Sequence, residues 1–128
     1  MTQPVWLQTR LVRALHDMLI AEHGGSHGVR DAGVLDSALS RPVNLFGYGD
    51  PDLPALAAAY AARIIKSHPF IDGNKRTGFA AAATFLDRNG LALAASEADA
   101  TRMTLDLAAG TVSEEEYAAW LRANTTTA

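Results

Sequence analysis

The sequence predicts an all-α, single-domain protein: a compact bundle of about six helices. Three observations predict it. Apolar residues recur at i, i+3 and i+4 in one segment after another. No segment alternates apolar and polar residues for long enough to make a strand. Gly, Pro and Asn punctuate the chain at short intervals, which implies short loops. The 128 residues suit one domain with a real core, and 48% apolar with 20% charged residues marks a folded globular chain.

Leu7, Leu11, Leu15, Met18 and Leu19 define the apolar face of a first helix, ended by Gly24-Gly25. Asp31 caps a short second helix carrying Val34, Leu35, Ala38 and Leu39, expected to stop before Pro42. A Gly/Asp/Pro-rich loop is expected over 44–52, with Pro51 and Pro54 suiting a turn and a first helical turn. The third helix carries Leu53, Leu56, Ala57, Tyr60, Ala61, Ile64 and Ile65. His68 continues that spacing and is expected at the end of the core-facing stripe, before Pro69 halts the helix. Phe79, Ala82, Ala83 and Leu86 form the next face, closed by Asn89-Gly90. The alanines predict helices with closely approaching backbones. A fifth helix starts at Ser96, with Asp99 three residues on. The sixth has a capping box, Ser113 with Glu116, and Val112 positioned to staple onto Tyr117. The folded domain is expected to span 1–123, with 124–128 a loose tail. There are no internal repeats or linkers.

Composition narrows the function classes. The absence of cysteine excludes a disulfide framework, a thiolate zinc site and a cysteine nucleophile. A net charge of −3 argues against direct nucleic-acid binding. Uncharged stretches such as Thr77 to Leu86 are about half the ~20 residues of a membrane span. The first residues lack the basic start and apolar run of a signal peptide. The expectation is a cytoplasmic protein with no membrane partner.

The densest chemistry lies in residues 68–76, His-Pro-Phe-Ile-Asp-Gly-Asn-Lys-Arg. His68 is either a satisfied core histidine or a general base, since imidazole is suited to accept a hydroxyl proton at neutral pH. His16, His23 and His27 lack such neighbours and read as unremarkable. Asp72 either caps the following helix or holds Mg²⁺, which often takes only one or two protein carboxylates and fills the rest with water and phosphate. Gly73 supplies a turn or lets the backbone approach an anion. Asn74 caps or binds phosphate. Lys75 and Arg76 fall where a helix begins, a position unfavourable for cations by roughly 0.3–1 kcal/mol each unless an anion sits there. The chain has two lysines against nine arginines, and one lysine is in this motif. Each residue alone fits a bland reading; five functional residue types within one helix–loop–helix junction do not.

The loop resembles that of the Fic/Doc superfamily, whose Fic members carry His-Pro-Phe-x-Asp/Glu-Gly-Asn-Gly-Arg and a further Arg three residues on. Here Lys75 replaces the second glycine and Phe79 the second arginine, and both departures resemble the Doc (death on curing) toxin branch. Gly24-Gly25, Gly28 to Asp31 and Leu35 to Pro42 resemble the upstream part of Doc-like chains, and Phe85-Leu86 with Asn89-Gly90 the downstream part. The resemblance implies a compact all-α fold and Mg–ATP as co-substrate. It also implies a toxin that phosphorylates a threonine of elongation factor Tu and stops protein synthesis. Carried over, His68 is the base on the target hydroxyl and Asp72 the Mg²⁺ ligand. Gly73, Asn74, Lys75 and Arg76 form the anion cradle, with Lys75 favouring presentation of the γ-phosphate. Fic proteins are often restrained by a Ser/Thr-x-x-x-Glu-Gly/Asn helix. No Glu here precedes Gly or Asn, so restraint by a separate antitoxin is implied. The alternatives are a Fic-type AMP-transferase and a non-catalytic module binding the antitoxin and its operator complex.

Overall fold

The computed structural model describes residues 3–128. Six helices and two three-residue strands follow in the order α1 Thr9–His23, α2 Ala32–Tyr48, α3 Leu53–Ser67, α4 Asn74–Arg88, β1 Leu91–Leu93, α5 Glu97–Ala109, α6 Glu114–Ala123, β2 Thr125–Thr127. The molecule is therefore a single-domain helical bundle with a minimal sheet at one corner.

The core is organised around α3. Leu56 through Ala62, Ile64 and Ile65 are all buried, so this helix is enclosed on nearly every side. Its neighbours are α4, α2 and α6. Alanine makes this possible: it loses no rotamer freedom and lets neighbouring backbones come close. The α3–α4 contact is the tightest. A Cβ added at Gly78 would lie 2.7 Å from Ile65 Cγ1 and 3.1 Å from the Ala61 carbonyl oxygen. Larger rings fill the remaining space: Tyr60 meets Phe85 at 5.2 Å between centroids, and Trp6 packs on Phe85 and Phe46.

The expected caps form: Asp31 accepts from the Val34 amide and Ser96 from Asp99. Asp52, expected only as part of a loop, also caps, accepting from Ala55. Ser113 and Glu116 close both halves of their capping box at 3.0 Å. Asp52 also takes a two-pronged ion pair from Arg122 of α6, at 2.6 and 2.9 Å. That hydrogen bond holds the Asp52 carboxyl below its usual range.

Four local expectations are corrected. Helix α2 does not stop at Pro42 but runs through it to Tyr48, so only 49–52 separate α2 from α3. An interior proline costs ~3 kcal/mol, and the packing of Leu45 and Phe46 against the core offsets it. The buried face of α1 is Val12, His16 and Ile20. Leu7 is buried but lies before the helix; Leu11, Leu15 and Leu19 flank the face half-buried, and Met18 is 56% exposed. On α4 the buried face is Thr77, Gly78, Ala81, Ala82, Phe85 and Leu86, with Phe79 and Ala83 at its edge. Finally, 124–128 is no loose tail. Thr125–Thr127 pairs antiparallel with Leu91–Leu93, and the Ala94 and Ala128 amides donate to the Asn124 and Gly90 carbonyls. No helix among the described residues is long and apolar enough to cross a membrane.

Candidate active site

The motif loop joins α3 to α4 and is gripped from a third side by the α1–α2 loop. Val29 bridges Phe70, Ile71 N–H donates to the Gly28 carbonyl at 3.1 Å, and the Arg30 and Asp31 amides both donate to the Pro69 carbonyl. Phe70 is fully buried and anchors the loop.

His68 does not end the core-facing stripe of α3. It sits just past the helix at φ 51, ψ 58, the one non-glycine residue of positive φ among those described, and its side chain is exposed. The left-handed turn swings the imidazole out of the stripe into solvent, at a backbone cost on the order of 1–3 kcal/mol. Arg30 stabilises this end of α3. Its Nε donates to the His68 carbonyl at 2.5 Å and its NH2 group to the Ser67 carbonyl at 2.9 Å, so a cation closes a helix C-terminus.

Asn74, 5% exposed, is a clamp. Its Oδ1 accepts from Phe70 N–H at 3.0 Å, and its Nδ2 donates to the Phe70 carbonyl at 3.0 Å and faces His68 Nδ1 at 3.3 Å. The Asn74 side chain is thus spent on the loop and on orienting His68; only its backbone N–H is left for a ligand. The neutral ring that accepts at Nδ1 carries its proton on Nε2. To take a proton at Nε2, His68 shifts its own proton to Nδ1 and gives up that long contact.

Asp72 is exposed and does not cap α4. Its Oδ1 accepts from Gly73 N–H at 2.8 Å and its Oδ2 from Ser26 N–H at 3.2 Å. The glycine turn after α1 makes room for it: at Gly25, φ +116, an added Cβ would lie 2.7 Å from Asp72 Oδ2. Gly73, the N-cap of α4, is left-handed at φ 75.

The first turn of α4 has no side-chain cap and no acidic residue. The first backbone N–H to find a helical acceptor is that of Thr77, on the Gly73 carbonyl, so the amides of Asn74 to Arg76 are free donors. Lys75 and Arg76 lie exposed on this turn and form no ion pair among the described residues. The structure thus joins His68 to Asn74 directly, and sets Asp72 and the two cations at the same helix start with no ion pair between them among the described residues.

A sequence profile of the Fic/DOC family matches residues 6–86, from the start of the fold through the motif to the end of the α4 core face. The chain belongs to the Fic/DOC family. Within it, two relatives point to the Doc branch. One is the toxin Doc of Mycolicibacterium smegmatis (strain ATCC 700084 / mc(2)155), 48% identical over 75 residues, 56% of this chain and 57% of that protein. The other is the protein kinase doc of Escherichia phage P1, 34% identical over 110 residues, 85% of this chain and 86% of that protein. This chain thus aligns with little more than half of the Mycolicibacterium protein, but with most of the phage one.

Two residues of this Doc-branch site escaped the sequence reading. Arg30 was visible only as part of the resemblance, because nothing local says that its guanidinium reaches across to α3. His16 was set aside for want of neighbours, yet it is buried under the motif, stacked on Phe70 at 3.9 Å and bonded to the Asp72 carbonyl at 2.7 Å. Its position between Val12 and Ile20 at four-residue spacing was the available signal.

Proposed function

We propose that this Doc-branch chain is the toxin of a toxin–antitoxin pair. It acts as an Mg–ATP-dependent protein kinase on a Thr or Ser hydroxyl of a translation factor, with elongation factor Tu the expected target. The supporting observation is the start of α4. Backbone amides and two cations without an ion pair among the described residues sit there beside an exposed Asp72, and His68 is turned out to solvent next to them. The names of the two relatives, a toxin and a protein kinase, point the same way. The target identity rests on the family resemblance, as does the cytoplasmic setting that goes with it.

These residues fit Mg–ATP. Each Asp72 oxygen holds only one backbone N–H, which leaves lone pairs for a cation. No three His, Cys, Asp or Glu side chains gather to hold a metal among the described residues, so a cation here takes its remaining ligands from water and phosphate. When bound, Mg²⁺ neutralises charge that develops on the phosphate oxygens. The α4 amides, Lys75 and Arg76 hold the phosphate chain and oppose the same charge. His68 takes the proton of the target hydroxyl as its oxygen bonds to the γ-phosphorus. The bond to the ADP oxygen breaks, and His68 passes the proton to solvent.

The test incubates the protein with elongation factor Tu and ATP labelled on either the α or the γ phosphate. Transfer of γ label alone is expected. Transfer of α label would make the chain an AMP-transferase; no transfer would leave a binding module or another target. Loss of the positioned base in His68→Ala is expected to lower transfer by ~10²–10⁴-fold. Lys75→Gly is expected to lower γ-transfer steeply, because a cation beside the transferring group is lost; undiminished phosphorylation would make Lys75 a mere surface charge. The partner is expected to be a small antitoxin acting in trans. Expression of the chain alone should arrest growth, and His68→Ala should relieve the arrest.

A further inference from the structure

The floor of the motif loop is built by α1, and its one polar member has no part in the chemistry above. His16 is 1% exposed. Its ring lies flat on Phe70, 8° from parallel. Its Nε2 is 2.7 Å from the Asp72 carbonyl oxygen. A carbonyl only accepts, so Nε2 carries the proton and donates. A phenylalanine would fill the same space and stack as well; the donor is what histidine adds.

The donor acts on a particular peptide plane. In a trans peptide the C=O of one residue and the N–H of the next point to opposite edges. With the Asp72 carbonyl drawn inward to His16, the Gly73 N–H is turned away from α1, toward Asp72 Oδ1 at 2.8 Å. The fit below is close: a Cβ at Gly73 would lie 3.0 Å from Ile20 Cδ1 and 3.7 Å from His16 Nε2. The same peptide carries the carboxylate expected to hold the cation, and its Gly73 N–H, bonded to Asp72 Oδ1, fixes that carboxylate at the head of the anion cradle.

We infer that His16 is a positioning residue of the site: by holding the Asp72–Gly73 peptide in one orientation, it keeps the Gly73 N–H on Asp72 Oδ1 and so sets the Asp72 carboxylate for Mg–nucleotide. The inference rests on the proposed Mg–ATP chemistry for its functional consequence, and on geometry alone for the peptide orientation, so the two are tested separately. His16→Phe keeps the stack and removes the donor; His16→Gln restores an N–H of similar reach.

In His16→Phe, amide hydrogen exchange at Gly73 should accelerate selectively over that in the body of α3, and Mg–ATP affinity by calorimetry should weaken by about 10–100-fold, the usual cost of losing a group that orients a ligand. His16→Gln should recover much of both. A folded His16→Phe protein with wild-type Gly73 exchange and wild-type affinity overturns the inference. So does equal impairment of both variants in proportion to lost thermal stability. The wild-type protein gives a check that needs no variant to fold. With ¹⁵N-labelled histidine, the His16 proton must reside on Nε2 in slow exchange with water; the opposite tautomer overturns the inference. A wild-type protein that binds no Mg–ATP defeats the kinase reading, while Gly73 exchange in the variants still decides what His16 does to the loop.

Discussion

At the scale of single residues, the site is held by groups that do not react. His68 keeps its left-handed backbone because Arg30 binds its carbonyl and Asn74 faces its ring. Asp72 keeps its place because Ser26 and Gly73 donate to it and because Gly25 has no side chain. Gly25→Ala should therefore act on the site from the neighbouring loop. Its φ of +116 disfavours any side chain, and the new methyl would meet Asp72 Oδ2. Calorimetric titration should show weaker Mg–ATP binding, about 10-fold or more, with the helical circular dichroism retained. Unchanged affinity would mean that Asp72 is free to move aside. The identities of these candidate residues stood out in the sequence, since a His, an Asp, a Gly and two cations fall together at a helix junction. Their directions did not. Whether His68 continues the α3 stripe or leaves it depends on a single φ angle, and whether Asn74 meets an anion or its own loop depends on the position of Phe70.

At the scale of elements, the ends of helices were more legible than their faces. Capping is a local signal of three or four residues, and Asp31, Ser96 and Ser113 all act where local chemistry puts them. The faces of α1 and α4 were displaced because small and polar residues, His16, Thr77 and Gly78, occupy the buried centre while larger apolar ones sit at the edge. The persistence of α2 through Pro42 was hidden for a related reason: the gain that offsets the proline is the tertiary packing of Leu45 and Phe46 against the core, which the local sequence around Pro42 does not show. Gly78→Ala tests the α3–α4 approach that fixes both ends of the motif loop. The added methyl meets Ile65 and the Ala61 carbonyl, and only Ile65 has a side chain that can move. Despite alanine's better helix propensity, the variant should lose about 1–3 kcal/mol in denaturant unfolding. A neutral or stabilised variant would show that the two helices separate easily.

At the scale of the whole molecule, the C-terminal helices enclose a phenol whose burial sets an alkaline limit. Burial pushes the Tyr117 hydroxyl up to about 12 from its ordinary 10.0, against the lowering effect of its hydrogen bond with Thr104. With the folded value above the unfolded one, the contribution is fully present below pH 10 and is lost as pH rises toward 12. Stability should fall across that window by on the order of 2–3 kcal/mol from this group. Tyr117→Phe, though less stable at neutral pH for want of a partner to Thr104, should show a shallower fall; an equally steep one would assign it to Tyr60, also raised by burial, or to other groups. The two ends of the described chain share one further feature. Val5 exchanges both its backbone hydrogen bonds with the Asn89 side chain, and Ala128 donates to the Gly90 carbonyl. Both ends thus converge on one turn, at the far end of α4 from the motif. The 15 residues of α4 put roughly 22 Å between that turn and Lys75. A tether at either end, whether an affinity tag, a fluorophore or a sensor surface, would hold the molecule by its back and present the motif loop outward, open to a protein-sized target.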